Sequence, residues 1–348
     1  MLINNIKLTN FRNYRNITIP FYPKLNIIVG PNGIGKTNIL ESIIVVSNTK
    51  SFRTLDDKNL IKQNEEYARI ECDANKKYKV VINKTGKSLY IDNNPVRKTS
   101  EFIGKLNAVL FKPSDLELFN QSPKERRRLL NIELGKISNE YLNAAFYYNK
   151  LLKDKNKLLK EININKDYLE LINNQMIPYI QIIIKKRNEF FEYINKHINE
   201  HYSCISNTNN KISVVYNKCS NICDVEENIK KASEKDLYYH YSVFGPHHED
   251  YVFTYNNQEL ESVASQGQIR MVMIAFKLTL TEYIKENIKE DPIVLLDDVL
   301  SELDKDNQNR LIESLPNNSQ VIITNTDIKN IKFNREYNLI ELKEKQYV

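Results

Sequence analysis

Apolar and polar positions alternate near the start of the chain: Ile6 and Leu8 flank a polar residue, and so do Ile17 and Ile19. A period of two sets one face of a strand against a core. Leu25 to Val29 is a mostly apolar run that stops at Gly30 and reads as a further strand. Tyr78 to Asn83 and Ser88 to Ile91 flank Lys84-Thr85-Gly86-Lys87, a hairpin signal, and Ala108 to Phe111 adds another apolar run. The first part of the chain is therefore predicted as a β-rich lobe.

The pattern then changes period. No glycine occurs between Gly135 and Gly245, and Pro178 alone interrupts the stretch, which reads as mostly helical. Ser122, Pro123 and Glu125 fit an N-cap, a proline at the first helical position and a capping-box acid. Leu151, Leu152, Leu158, Leu159 and Ile162, then Ile180, Ile183, Phe190, Phe191 and Ile194, recur at helical spacing. These runs predict an antiparallel helical arm with its turn near Asn173 to Pro178.

After Ser242 strands and helices alternate: a strand at Tyr251 to Tyr255, a helix at Gln268 to Ile288, a strand at Ile293 to Leu296, a helix at Asp304 to Leu315, and a strand at Gln320 to Thr324. Such alternation predicts an α/β sheet. The expected architecture is a discontinuous α/β head, residues 1–120 and 240–348, with residues 121–239 inserted as the helical arm.

Composition narrows the class. A chain of 348 residues, 41% of them hydrophobic, suits one or two soluble globular domains. The net charge of +6 is carried by no long Lys or Arg run. It fits an anionic partner, and it fits equally the codon use of an AT-rich genome, since Gly (8) and Trp (0) are scarce. No segment approaches 18 uninterrupted apolar residues and the N-terminus lacks a signal-peptide pattern, so a cytoplasmic protein with no membrane association is expected. Cys72, Cys204, Cys219 and Cys223 are too scattered for a disulfide framework. His197, His201, Cys219 and Cys223 form a loose H-x3-H and C-x3-C set that departs from the usual zinc spacing.

The chemistry is concentrated in two places. Gly30-Pro31-Asn32-Gly33-Ile34-Gly35-Lys36-Thr37 satisfies G-x-x-x-x-G-K-[ST], after an apolar strand and before the helix-like Ile39 to Val46. Glycines there let backbone N–H groups converge on phosphate oxygens. Lys36 supplies a point charge for the β and γ phosphates of ATP, and the Thr37 hydroxyl is a ligand for Mg²⁺. Far away, the apolar run Ile293 to Leu296 ends in Asp297-Asp298, where a P-loop fold places its second Mg²⁺ anchor. Asp297 is the expected metal residue. Asp298 is either the acceptor of the attacking water's proton or an acidic helix start favoured by the helix dipole.

Between these halves, Ser265-Gln266-Gly267-Gln268 precedes an apolar-striped helix. In that position it resembles the signature motif of ATP-binding-cassette ATPases. Further segments extend the likeness, in order: Leu8 to Tyr14, Ser51-Phe52-Arg53-Thr54, Phe111 to Leu116, Ser122 to Arg127, Gly245-Pro246-His247, and Leu295 to Asp304. Together they span nearly the whole chain, and the sequence is similar to the RecF family within that superfamily.

The resemblance implies a P-loop head of the ATP-binding-cassette type, with Arg12 reaching a nucleotide phosphate and with Ser265 and Gly267 completing the ATP site of a partner subunit. It further implies an ATP-dependent homodimer on single-stranded, gapped or junction DNA. The implied role lies in recombinational repair, replication restart and the SOS response, with delivery of a recombinase-loading protein such as RecR. Arg53, Arg126 and Arg127 are candidate DNA contacts. The family's Gly-Pro-His-Arg-Asp-Asp appears here as Gly245-Pro246-His247-His248-Glu249-Asp250. No Gln stands within 111–115, and no His follows Thr324-Asn325-Thr326. Slow hydrolysis, suited to a switch, is expected. The alternative is the cytoplasmic ATPase subunit of a transporter, which the intervening helical stretch and the short Ser-Gln-Gly-Gln fit poorly.

Overall fold

Alternating residues build the first sheet. A computed structural model describes residues 1–328 and 331–343. In it β1 (Asn5–Phe11) pairs antiparallel with β2 (Tyr14–Pro20), setting Ile6 opposite Ile19 and Leu8 opposite Ile17. The parallel-sheet strand β3 (Leu25–Val29) and helix α1 (Lys36–Asn48) come next. Then come β4 (Tyr67–Asp73), β5 (Lys77–Asn83), β6 (Gly86–Ile91), the short β7 (Asn94–Pro95), a helical turn α2 (Thr99–Phe102) and β8 (Ala108–Phe111). The antiparallel sheet has the order β2-β1-β4-β5-β6-β7. Ile6, Leu8, Ile70, Cys72, Val80 and Ile82 are all buried, each alternating with a less buried neighbour. Asn83 Oδ1 accepts from the amides of Thr85 and Gly86 at 3.0 and 2.8 Å and closes the predicted hairpin.

By their contacts the residues fall into two units: Met1–Leu116, Glu200–Asn209 and the described residues from Arg270 onward form one, and Glu117–Asn199 with Asn210–Ile269 form the other. Residues 240–269, expected with the head, thus group with the helical unit. The second unit runs through α3 (Glu117–Asn120), α4 (Pro123–Ile137), α5 (Asn139–Leu158), most of α6 (Lys166–Ser206), β9 (Ile212–Asn217), α7 (Val225–Tyr239), β10 (Asp250–Tyr255), β11 (Gln258–Glu259) and α8 (Leu260–Val263). The reason for the boundary is β-pairing: β10 is hydrogen-bonded to β9 from Asp250↔Asn217 to Tyr255↔Ile212, which ties residues 250–255 to the inserted stretch. The free edge of β9 is closed by side chains. Asn195 and Asn199 on α6 each exchange two amide hydrogen bonds with Val214 and Ile212, at 2.7 to 2.9 Å. The pairing supplies the partners that an edge strand lacks.

Two local expectations fail here. The turn of the arm lies at residues 159–165, around the fully exposed Ile162, and α6 runs straight through Pro178. A proline inside a helix costs about 3 kcal/mol. Leu169, Ile172, Met176, Ile180, Ile183 and Ile184 form one continuous buried stripe across it, and each contributes about 1.5–3 kcal/mol on burial, so the helix persists. Ser122 holds the N-cap position and Pro123 the first helical position as expected, but Ser122 makes no side-chain capping bond; its carbonyl accepts from the Glu125 and Arg126 amides.

Glu249 lies at the centre of a buried network in this unit. It pairs with Arg187 and accepts from the Tyr216 hydroxyl and from the Cys219 amide at 3.1 Å, while Arg187 also donates to Asn131 and to the Pro246 carbonyl. Both charged side chains are nearly inaccessible to water. Glu249→Ala should destabilise the protein by about 3–5 kcal/mol, since it strands a buried guanidinium. A urea midpoint equal to that of the wild type would refute this.

The chain returns to the first unit along α9 (Gln266–Ile288), then β12 (Ile293–Asp297), α10 (Lys305–Ser314), β13 (Val321–Asn325) and β14 (Tyr337–Glu341). The second sheet of this unit is wholly parallel, in the order β14-β3-β13-β12-β8. Helix α1 packs on both sheets of the unit, touching β4 and β5 as well as β8, β12 and β13. A helix covered on two sides must be apolar around most of its girth, and Ile39, Leu40, Ile43, Ile44, Val45 and Val46 are all buried.

Candidate nucleotide site

Residues 30–35 join the end of β3 to the start of α1. Gly33 and Gly35 have φ of 81° and 117°, backbone that side-chain-bearing residues rarely adopt. Gly35 is also sterically obligatory, since a Cβ there would lie 2.5 Å from the Tyr14 hydroxyl and 2.7 Å from Asn13 Nδ2. The β1–β2 hairpin thus braces the loop: Asn13 Nδ2 donates to the Ile34 carbonyl at 2.9 Å, and Asn38 Nδ2 donates to Asn13 Oδ1 at 2.7 Å. Nothing lies within 4 Å of a Cβ built on Gly33, so the loop stays open at the position where a phosphate would approach its backbone.

Lys36 is buried, and its ammonium donates to the carbonyls of Gly30 and Pro31 at 2.8 and 3.3 Å. Thr37 joins the two halves of the motif set. Its hydroxyl donates to Asp297 Oδ1 at 2.9 Å, across 260 positions of sequence, and Thr324 donates to the same oxygen at 2.9 Å from the neighbouring strand. Burial pushes the Asp297 carboxyl above the usual carboxylate range, and the two threonine hydroxyls act against that rise. A hydroxyl and a carboxylate held this close form the donor set that a hard divalent cation such as Mg²⁺ takes.

Asp298 has φ of 50°, and its amide bonds to the Thr324 carbonyl and hydroxyl. Its Oδ1 is buried without a hydrogen-bond partner among the described residues. An Asp tolerates this left-handed backbone, and the unsatisfied oxygen leaves its carboxylate with an unused acceptor beside Asp297. The chain beyond Asp298 forms a single 3₁₀ turn, Leu300–Glu302, too short to present a helix dipole that would explain the acid.

Other predicted residues stand differently. Arg12 directs its guanidinium to Glu41, with Nε and Nη2 donating at 2.8 and 2.6 Å, while Nη1 donates to the Asn59 carbonyl at 2.7 Å. Phosphate contact by Arg12 therefore competes with a bidentate ion pair. Glu41 is fully buried and accepts from the Ser51 hydroxyl as well, and sequence reasoning missed it because it is one carboxylate within an apolar helix. Ser265 and Gly267 belong to the second unit, exposed at the start of α9. There Ser265 and Gln268 cap the helix reciprocally: the Ser265 amide donates to Gln268 Oε1 at 2.8 Å, and the Gln268 amide donates to Ser265 Oγ at 3.3 Å. Within the first unit, α9 supplies two ties that sequence also missed. Buried Lys277 donates to the Leu110 carbonyl and pairs with Asp115 at 3.3 Å, and Arg270 pairs with Glu302 at 3.1 Å.

Residues 2–347 match the family model described as the RecF/RecN/SMC N terminal domain. The DNA replication and repair protein RecF of Lachnoclostridium phytofermentans is 36% identical over 344 residues, which cover 96% of this chain and 95% of that protein. The chain belongs to the RecF family. A RecF of Staphylococcus aureus is 34% identical over 95% of both chains. Two solved RecF structures superpose closely. One, described as the recombination mediator protein RecF-ATP in the RecFOR pathway, is 30% identical, with a TM-score of 0.87 over 95% of this chain and 94% of that one. The other, with ATPrS, gives 0.88 at 29% identity, covering 98% and 96%. An SmcHead structure at 19% identity and a TM-score of 0.55, over 94% of this chain and 90% of that one, shares the fold. The expected α/β head of the cassette-ATPase type is thus the architecture of this RecF-family chain.

Proposed function

We propose that the chain is an ATP-dependent DNA-binding protein of recombinational repair and replication restart, a slow ATPase that uses hydrolysis as a switch in the cytoplasm. The hydrogen bond from Thr37 to Asp297 carries this reading, because it joins phosphate loop and strand-end acid into one site. The RecF structure bound to ATP supports it, at 30% identity over nearly the full chain. The transporter alternative is not favoured beside these relatives.

In this reading the backbone of residues 30–35 and Lys36 bind the phosphates, and Thr37 and Asp297 would hold Mg²⁺, which would supply neutralising charge there. Asp298 takes the proton of the attacking water as the new bond to the γ-phosphorus forms and the bond to the bridging oxygen of ADP breaks. Ser265 and Gly267 of one subunit complete the site of the other, so ATP builds a homodimer. Single-stranded, gapped or junction DNA is its ligand, and a recombinase-loading protein such as RecR is its partner.

The test is DNA affinity across a salt series, with and without ATP. Affinity should require ATP, and its logarithm should fall against log salt at about 0.9 per neutralised phosphate on duplex and about 0.7 on single strands, with little dependence on base sequence. A flat salt slope with no effect of ATP would remove DNA as the partner.

A further inference from the structure

The arginines that the sequence suggests for DNA are engaged within the protein. Arg126 forks onto Asp250 at 2.8 and 2.6 Å, Arg127 donates to the Glu249 carbonyl at 2.7 Å, and Arg53 donates to Asn38 at 2.8 Å. The outer face of α5 differs. Phe146, Lys150, Lys153 and Lys157 follow one another at intervals of four, three and four residues, which aligns them along one side of the helix. Lys155, nine residues after Phe146, lies on the opposite side, buried against Asp236 at 2.6 Å. Phe146 is 63% exposed. The three outer lysines are exposed as well, and none has an ion-pair partner within 4 Å among the described residues. Asp154 is the only acid of α5 beyond Glu140.

Helix α6 runs antiparallel beside this face. The Lys186 ammonium lies 3.7 Å from Glu140, and two turns along each helix the rings of Tyr147 and Tyr179 stack, with centroids 5.5 Å apart and planes 19° from parallel. Phe146 meets Tyr147 edge-on at 5.4 Å, which joins the lysine side of α5 to that stack. Tyr168, three turns before Tyr179, stands on the same edge of α6, and Gln175 and Leu171 lie next outward. Tyr168 and Leu171 are half exposed, and residues 171–184 carry no charge. Two tracks therefore leave the Tyr147–Tyr179 stack side by side: a basic one along α5 to Lys157 and an uncharged, largely apolar one along α6 to Tyr168. Each spans eleven residues, about 16 Å of helix. An apolar patch of this kind, left in water beside unpaired cations, has a partner chemistry of its own.

We propose that this face docks an amphipathic helix of a protein partner, with Phe146, Tyr147 and Leu171 receiving its apolar side chains and Lys150, Lys153 and Lys157 its carboxylates. A helix of about three turns, apolar along one edge and acidic along the other, matches both tracks at once. A nucleic-acid strand would satisfy the lysines but set its phosphates against the uncharged track, and Tyr147 and Tyr179 already stack on one another rather than offering their facing sides to bases. A second copy of this chain would bring the same lysines into the contact, like charge against like. The inference rests on the reading above, in which a recombinase-loading protein is the partner, and assigns that partner a surface.

The experiment uses the full chain with ATP and purified RecR, the partner named in that reading. Replacing Phe146 and Tyr147 together with Ala should weaken RecR binding at least about tenfold, the scale of a lost interface anchor. ATP affinity and the urea midpoint should hold, because both side chains stand largely in water. Lys153→Glu with Lys157→Glu should also weaken RecR binding at least about tenfold and lessen its dependence on salt, whereas Lys153→Arg should retain it. RecR bound equally by all variants overturns this surface and leaves the partner reading standing, and RecR that fails to bind the wild-type chain overturns both. Oligo(dT) affinity lost in these variants while RecR binding holds gives the face to DNA. Self-association lost by light scattering, again with RecR binding intact, gives it to a second copy, and either result overturns the proposal.

Discussion

Lys36→Ala leaves the fold in place and lowers ATP affinity by roughly a thousandfold. The side chain is buried at the phosphate loop and, among the described residues, bonds to the Gly30 and Pro31 carbonyls, so truncation removes a charge without opening the apolar core. A unit charge acting at about 4 Å near a protein surface contributes about 4 kcal/mol, and each 1.4 kcal/mol is a factor of ten in binding. The loop itself is held by other contacts, those of Asn13 and Tyr14 with Ile34 and Gly35, which the substitution does not touch. Calorimetric titration with ATP measures the loss, and circular dichroism checks the fold. An affinity within a few-fold of wild type would place the nucleotide elsewhere.

Asp298→Asn separates binding from hydrolysis. Asn keeps the shape and tolerates the φ of 50° at this position, and the substitution leaves Thr37 and Asp297, the proposed cation ligands, in place, so ATP and Mg²⁺ should bind as before. The amide cannot take a proton from water, so turnover should fall at least about 10²-fold, the usual contribution of a general base. The variant should then accumulate as the ATP-bound dimer, visible by light scattering. Unchanged phosphate release would assign Asp298 a structural role and return the question of the base to another residue.

The elements carrying the nucleotide site were legible because their signals are local. The strand at Leu25 to Val29, the glycine loop and the apolar helix after it lie consecutively, and the strand at Ile293 ends at the acids that the motif pairing predicts. The hairpin at Lys84-Thr85 was legible for the same reason, since turn chemistry acts over a few residues. Where the outcome depended on a distant partner, local rules chose wrongly. Pro178 reads as a break until the buried stripe on both sides of it is known, and the Asn-rich arm conceals that Asn195 and Asn199 supply the edge of β9.

The sequence by itself thus determined the strand, glycine loop and helix of the phosphate-loop motif, the strand that ends at Asp297, and the family, because periodicity and motif spacing act through neighbouring residues. Tertiary structure alone decided where the charges go. It set Arg12 on Glu41 and Arg126 on Asp250, buried Lys155 against Asp236, and left Lys150, Lys153 and Lys157 of the same helix to solvent. A charged side chain looks the same in sequence whether it is paired or free. Its role depends on how far it is desolvated and on which opposite charge the fold brings within about 4 Å, and both are properties of the assembled chain.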